Sequence, residues 1–63
     1  MTLQQIPQGS KFLLNKNETT TYTKLQGTER YNIPIVNDHS LQLQEIPSNT
    51  EIIPIWINPY LTS

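Results

Sequence analysis

Polar and apolar residues alternate with a period of two along much of this chain, the period of strands rather than helices. The alternation falls in five windows: "KFLLN" at 11–15, "TTYTKLQ" at 20–26, "RYNIPIV" at 30–36, "SLQLQE" at 40–45 and "EIIPIWI" at 51–57. No window places apolar residues at i, i+3, i+4 and i+7, so no α-helix is expected. In 40–45 the pattern points Leu41 and Leu43 inward and Gln42 and Gln44 outward. In 30–36, Tyr31, Ile33 and Ile35 share a face. The last window is apolar on both sides, with Ile53, Ile55 and Ile57 on one and Ile52, Pro54 and Trp56 on the other. Such a strand is either central in the packing or covered by a partner.

Turn signals separate the windows. Pro7-Gln8-Gly9 suits a type I turn with proline at its second position. Asn37 and Asp38 both tolerate positive φ and give the strongest hairpin signal. Ile33-Pro34-Ile35 and Ile53-Pro54-Ile55 repeat one tripeptide inside two windows. Proline has no N–H for a ladder, so each should mark an edge, a bulge or a bend. The expected fold is all-β: a small five-stranded antiparallel SH3-like or OB-like partly open barrel over 1–57, followed by a C-terminal arm at 58–63. Its expected core is Ile6, Phe12, Leu14, Leu25, Ile33, Ile35, Leu41, Leu43, Ile53 and Ile55.

One phrase occurs twice, "LQQIP" at 3–7 and "LQEIP" at 43–47. In both copies an extended piece running through Ile-Pro into a polar turn is expected, with the leucine and isoleucine closing the barrel interior. The competing reading is a duplicated contact surface.

Length sharpens this picture. A 63-residue chain makes one domain and buries only about 60% of its unfolded surface, so its stability is marginal. It has no cysteine and one histidine, which leaves no disulfide and no ligand set for structural zinc; no cofactor is expected. Four Lys and Arg against five Asp and Glu give little basic excess for holding phosphates and little charge repulsion between copies. The first residues lack a basic region followed by an apolar run, and the longest apolar run falls far short of the ~20 residues of a membrane helix. The expected setting is therefore a bacterial cytoplasm, without membrane contact.

Candidate chemistry is sparse. Asp38-His39-Ser40 holds the residue types of a hydrolase triad, but consecutive residues splay apart and cannot form its hydrogen-bonded chain. The acids Glu18, Glu29, Asp38, Glu45 and Glu51 lie in or beside turns, and the two glycines make no phosphate loop. No enzyme is expected. Tyr22 and Lys24 share a strand face, with Arg30 and Tyr31 beside the next strand. Aromatic and basic residues so arranged could stack and hold a single-stranded nucleic acid, though four cations make a poor groove. The segment from Trp56 and Ile57 to Tyr60 and Leu61 is the leading candidate for a protein contact, because Trp and Tyr dominate interface hot spots. The partner would be another protein or a second copy of the chain.

The runs "GSKF" at 9–12, "TYTKL" at 21–25 and "TEIIPI" at 50–55 resemble a pattern of short bacterial and phage proteins. There a Gly-x-x-Phe strand precedes a Tyr-x-Lys-x strand, and the chain closes on a Thr-x-Val-x-Pro strand. "RYNIPIV" departs from it, being longer than the polar segment found there. The resemblance implies a compact β fold and carries no catalytic or binding residue. The expected function is a non-enzymatic protein-interaction module, an accessory or phage-encoded regulatory or inhibitory protein that occupies a partner's surface.

Overall fold

The computed structural model describes residues 1–26 and 31–60. A single 3₁₀ turn at Leu3–Gln5 leads into five strands: β1 (Lys11–Leu13), β2 (Tyr22–Lys24), β3 (Asn32–Asn37), β4 (Leu43–Pro47) and β5 (Ile53–Trp56). All pair antiparallel in one sheet of order β4-β3-β2-β1-β5. The sheet does not close, so β4 and β5 are its two edges and the architecture is a small partly open barrel. No α-helix occurs among the described residues, and none of their helices is long and apolar enough to cross a membrane.

The core follows from the pairing. Phe12 of β1 lies opposite Tyr22 of β2, and their rings stack with centroids 5.9 Å apart. Ile33 and Ile35 enter from β3, and Leu3, Ile6 and Ile52 close the ends. Leu14 and Ile46 pack against this cluster half-buried, and Leu25 is also half-buried. The N-terminal segment is laced to the β4–β5 connection: Leu3 N–H donates to Thr50 O, Gln4 N–H to Ser48 O and Ile52 N–H to Met1 O.

Four expected core residues lie outside. Leu41 and Leu43 are 75% and 71% exposed, and Ile53 and Ile55 are exposed as well. On β4 the register explains the reversal: Leu43 opposes Val36, while Gln44 opposes the buried Ile35. Gln44 and Ile46 therefore take the inward phase and Leu43 the outward one. A one-residue change of phase exchanges every side chain between the faces. On β5 the inward phase begins at the buried Ile52, and Leu13 opposite Ile53 marks the outer face.

The turns also differ from their expected form. Ser10 N–H donates to Pro7 O, and Gly9 has φ +87° at the third position, the mark of a type II turn rather than type I. The β3–β4 connection uses five residues, 38–42, rather than an Asn-Asp pair. Asn37 Oδ1 accepts from the N–H groups of His39 and Ser40, and Leu41 N–H donates to Asn37 O at 2.7 Å. This closure places Leu41 at φ +62°, where an L side chain costs roughly 1–2 kcal/mol. Glycine removes that strain and returns part of the gain as chain entropy. Leu41→Gly is thus expected to raise stability by about 0.5–1 kcal/mol in urea unfolding; a loss would mean that the leucine packs usefully despite its exposure.

Pro54 sits in the edge strand β5, as its missing donor demands. Pro34 does not mark an edge, because β3 is paired on both sides. Its carbonyl accepts from Leu25 N–H, and β2 ends at Lys24, so the missing N–H falls where the β2 ladder has run out. The repeated pentapeptide is likewise not one structural phrase. Leu3 opens a 3₁₀ turn and Ile6 caps its end, both buried, whereas Leu43 is exposed on an extended strand. The copies occupy unlike surroundings and form no duplicated surface.

Candidate functional site

β5 runs along one edge of the sheet with every residue exposed. Leu13 opposes Ile53 and Phe12 opposes Pro54, but Lys11 opposes Trp56, so the register shifts by one residue between Lys11 and Phe12. A bulge of this kind sets two successive side chains over one partner. It carries Ile55 and Trp56 to the outer side with Ile53. Ile57 follows the end of the strand, also exposed. An apolar band thus follows the edge, beside Leu13 and Lys11 of β1. Both the bulge and Pro54 hinder addition of a further strand, so this edge presents side chains more readily than backbone.

The segment after β5 is pinned. Asn58 N–H donates to Ser10 Oγ at 2.9 Å, and its side-chain amide donates to Gln8 O at 3.0 Å. Its Oδ1 accepts from Tyr60 N–H. Gly9 makes room for this clasp, since a Cβ there would stand 2.7 Å from Asn58 Nδ2. The backbone is held, yet the Tyr60 side chain is 85% exposed. Trp56, at 44%, is no core residue either. Trp56, Ile57 and Tyr60 are therefore brought together in sequence on an anchored, outward-facing edge, and Leu61 lies outside the described residues.

Of the aromatic–basic set, the described residues Tyr22, Lys24 and Tyr31 do not form one open surface. Tyr22 and Lys24 do share a face, but it is the inner one, and each is 8% exposed. Lys24 Nζ donates to Leu3 O at 3.1 Å and to Ile6 O at 2.6 Å, and burial lowers its pKa. It clamps the N-terminal turn and offers nothing to a phosphate. Tyr31 is exposed and donates through its hydroxyl to Asn49 Oδ1, while Arg30 lies outside the described residues.

A polar cluster that sequence reasoning missed lies on the outer face of β1, β2 and β3. Asp38 accepts from Thr21 Oγ1 at 2.8 Å, Thr23 Oγ1 at 2.6 Å and Lys11 Nζ at 3.2 Å, and Lys11 also donates to Thr23. The spacing of Thr21 and Thr23 at i, i+2 was its signal, because it sets both hydroxyls on one face. Partial burial works to raise the Asp38 pKa, but the hydrogen bonds from Thr23, Thr21 and Lys11 and the Lys11 charge outweigh it, and the net shift is downward from 3.8. A carboxyl lowered on folding stabilises above its unfolded pKa, and that contribution is lost as pH falls through the folded value. Acid titration of stability below about pH 4 should therefore be shallower in Asp38→Asn than in the natural protein; equal slopes would remove this role.

Asp38 also borders an open groove of about 430 Å³ lined by Thr19, Thr20, Thr21 and His39. Its carboxylate is committed to the threonines and the lysine, and Ser40 Oγ accepts from Gln42 N–H. Asp38, His39 and Ser40 form no hydrogen-bonded chain.

In comparisons with known proteins, no family model, no curated protein and no solved structure matches this chain significantly.

Proposed function

We propose that this protein is a non-enzymatic protein-interaction module that works by covering a partner's surface with β5 and its continuation. The observation that carries the reading is the contiguous run of exposed apolar side chains, Ile53, Ile55, Trp56, Ile57 and Tyr60, on an edge anchored through Asn58. Burying such residues inside the barrel would have helped a marginal domain, so their exposure is a cost that a partner removes. The burial of Tyr22 and Lys24 favours this reading over the nucleic-acid alternative. An accessory or regulatory protein, of the phage or bacterial kind that the sequence pattern resembles, fits a module whose action is occupancy. The test is binding by the natural chain and by a Trp56→Ala, Tyr60→Ala double variant. Because both side chains are exposed, the variant should fold normally and yet hold its partner at least tenfold more weakly. Undiminished binding would sink the assignment.

A further inference from the structure

We propose that the β5 surface is a self-complementary interface, and that its occupant is a second copy of this chain related by a two-fold axis. The inference rests on the interaction reading above and names the partner. Three observations converge on a second copy.

The first is area. Weighted by their exposures, Ile53, Ile55, Trp56, Ile57 and Tyr60 leave at most on the order of 600 Å² open, backbone included, within the range of the largest patch on an ordinary monomer. Two such surfaces face to face, fully covered, remove up to about 1,200 Å² from water, where specific interfaces begin. Pairing this surface with the opposite edge would bury less, because β4 and its turn offer only Leu41 and Leu43 as large exposed apolar side chains.

The second is charge. A two-fold interface sets each residue near the axis close to its own copy, so an unpaired charge there would meet its like. The five side chains are uncharged, and the neighbouring Lys11 is already neutralised by Asp38 at 3.2 Å. The whole chain carries a net charge of −1, so two copies approach with little repulsion.

The third is the edge itself. Pro54 and the bulge beside it disfavour open-ended strand addition, which would build fibres. What remains is contact through side chains, which closes after two copies.

Trp56 is the single tryptophan of the chain, so its fluorescence reports on this surface directly. Sedimentation equilibrium and tryptophan emission would be followed from roughly 1 µM to 1 mM protein, a range that spans weak to moderate dimers. The expected result is a monomer–dimer equilibrium, with emission shifting to the blue as the dimer forms. Ile55→Glu should weaken the dimer by about thirtyfold or more with an unchanged circular dichroism spectrum. Leu43→Glu, on the far edge, should leave it intact. A monomer throughout the range overturns the inference; if a binding partner sensitive to Trp56→Ala is then found, the interaction reading survives without it. Oligomers larger than a dimer that both variants disrupt would assign head-to-tail assembly instead. Should Ile55→Glu fail to fold, the concentration dependence of emission in the natural chain still decides.

Discussion

Phe12→Ala is expected to remove most of this protein's stability at 25 °C. Phe12 is fully buried, stacks on Tyr22 and stands on β1, the strand that joins β2 to β5. Removing a buried phenylalanine ring costs about 3–5 kcal/mol, since lost transfer energy and the cavity left behind act together. A chain of this length has a total stability of roughly 3–9 kcal/mol at the usual value per residue. The substitution therefore consumes most of the margin. Far-UV circular dichroism against urea would show the midpoint shifted far toward zero denaturant, whereas Phe12→Leu, which keeps most of the volume, should cost about 1.5 kcal/mol or less. An alanine variant that loses under 1 kcal/mol would mean that the ring is not the centre of the core.

Lys24→Met should also be damaging, for a different reason. Methionine keeps the buried stem but withdraws the donor of Ile6 O and leaves Leu3 O with only the 3.4 Å bond from Ile6 N–H. A buried acceptor left unmet costs about 1–3 kcal/mol. Against this stands relief from holding a charge out of water, with no carboxylate among its hydrogen-bond partners. Because only one side of the interaction is replaced, the orphaned Ile6 carbonyl and the weakened bonding of Leu3 O dominate, and a net loss of about 2 kcal/mol is expected. The pH dependence has a definite sign. Burial lowers the Lys24 pKa, so the folded state gives up its proton first as pH rises toward 10.5. The stability difference between the natural protein and Lys24→Met should widen over that alkaline range. A difference that is constant or narrowing there would contradict the burial of a charged amine.

The existence of the strands was written in the alternation, but its phase was not. "SLQLQE" announces a two-residue period, yet only the register opposite Ile35 decides that Gln44 rather than Leu43 turns inward. Local pattern contains no information on the partner strand, and the phase is set there. The two similar pentapeptides make the same point: one closes a core as a 3₁₀ turn, the other lies along an edge. Tyr22 and Lys24 were legible as a pair on one face, while the side that this face points to depends on backbone carbonyls some twenty residues earlier in the chain. A lysine was expected outside because burial of an amine needs acceptors, and no carboxylate at suitable spacing advertised them. The candidate surface was more accessible to reading. Trp56, Ile57 and Tyr60 stood out because the last strand is apolar on both sides, which one small barrel cannot cover.

The pairing of β1 with β5 also sets the order of events during folding. The β3–β4 hairpin closes a connection of a few residues, whereas Leu13 must find Ile53 about forty residues further on. Closing the longer loop costs more entropy and brings no reward until β2 and the N-terminal turn are in place, so β5 should dock last. Until it does, "IIPIWI" is a free segment of high strand propensity with no charge. Pro54 then acts as a kinetic guard, interrupting the segment during the interval in which neighbouring nascent chains could otherwise stack on it.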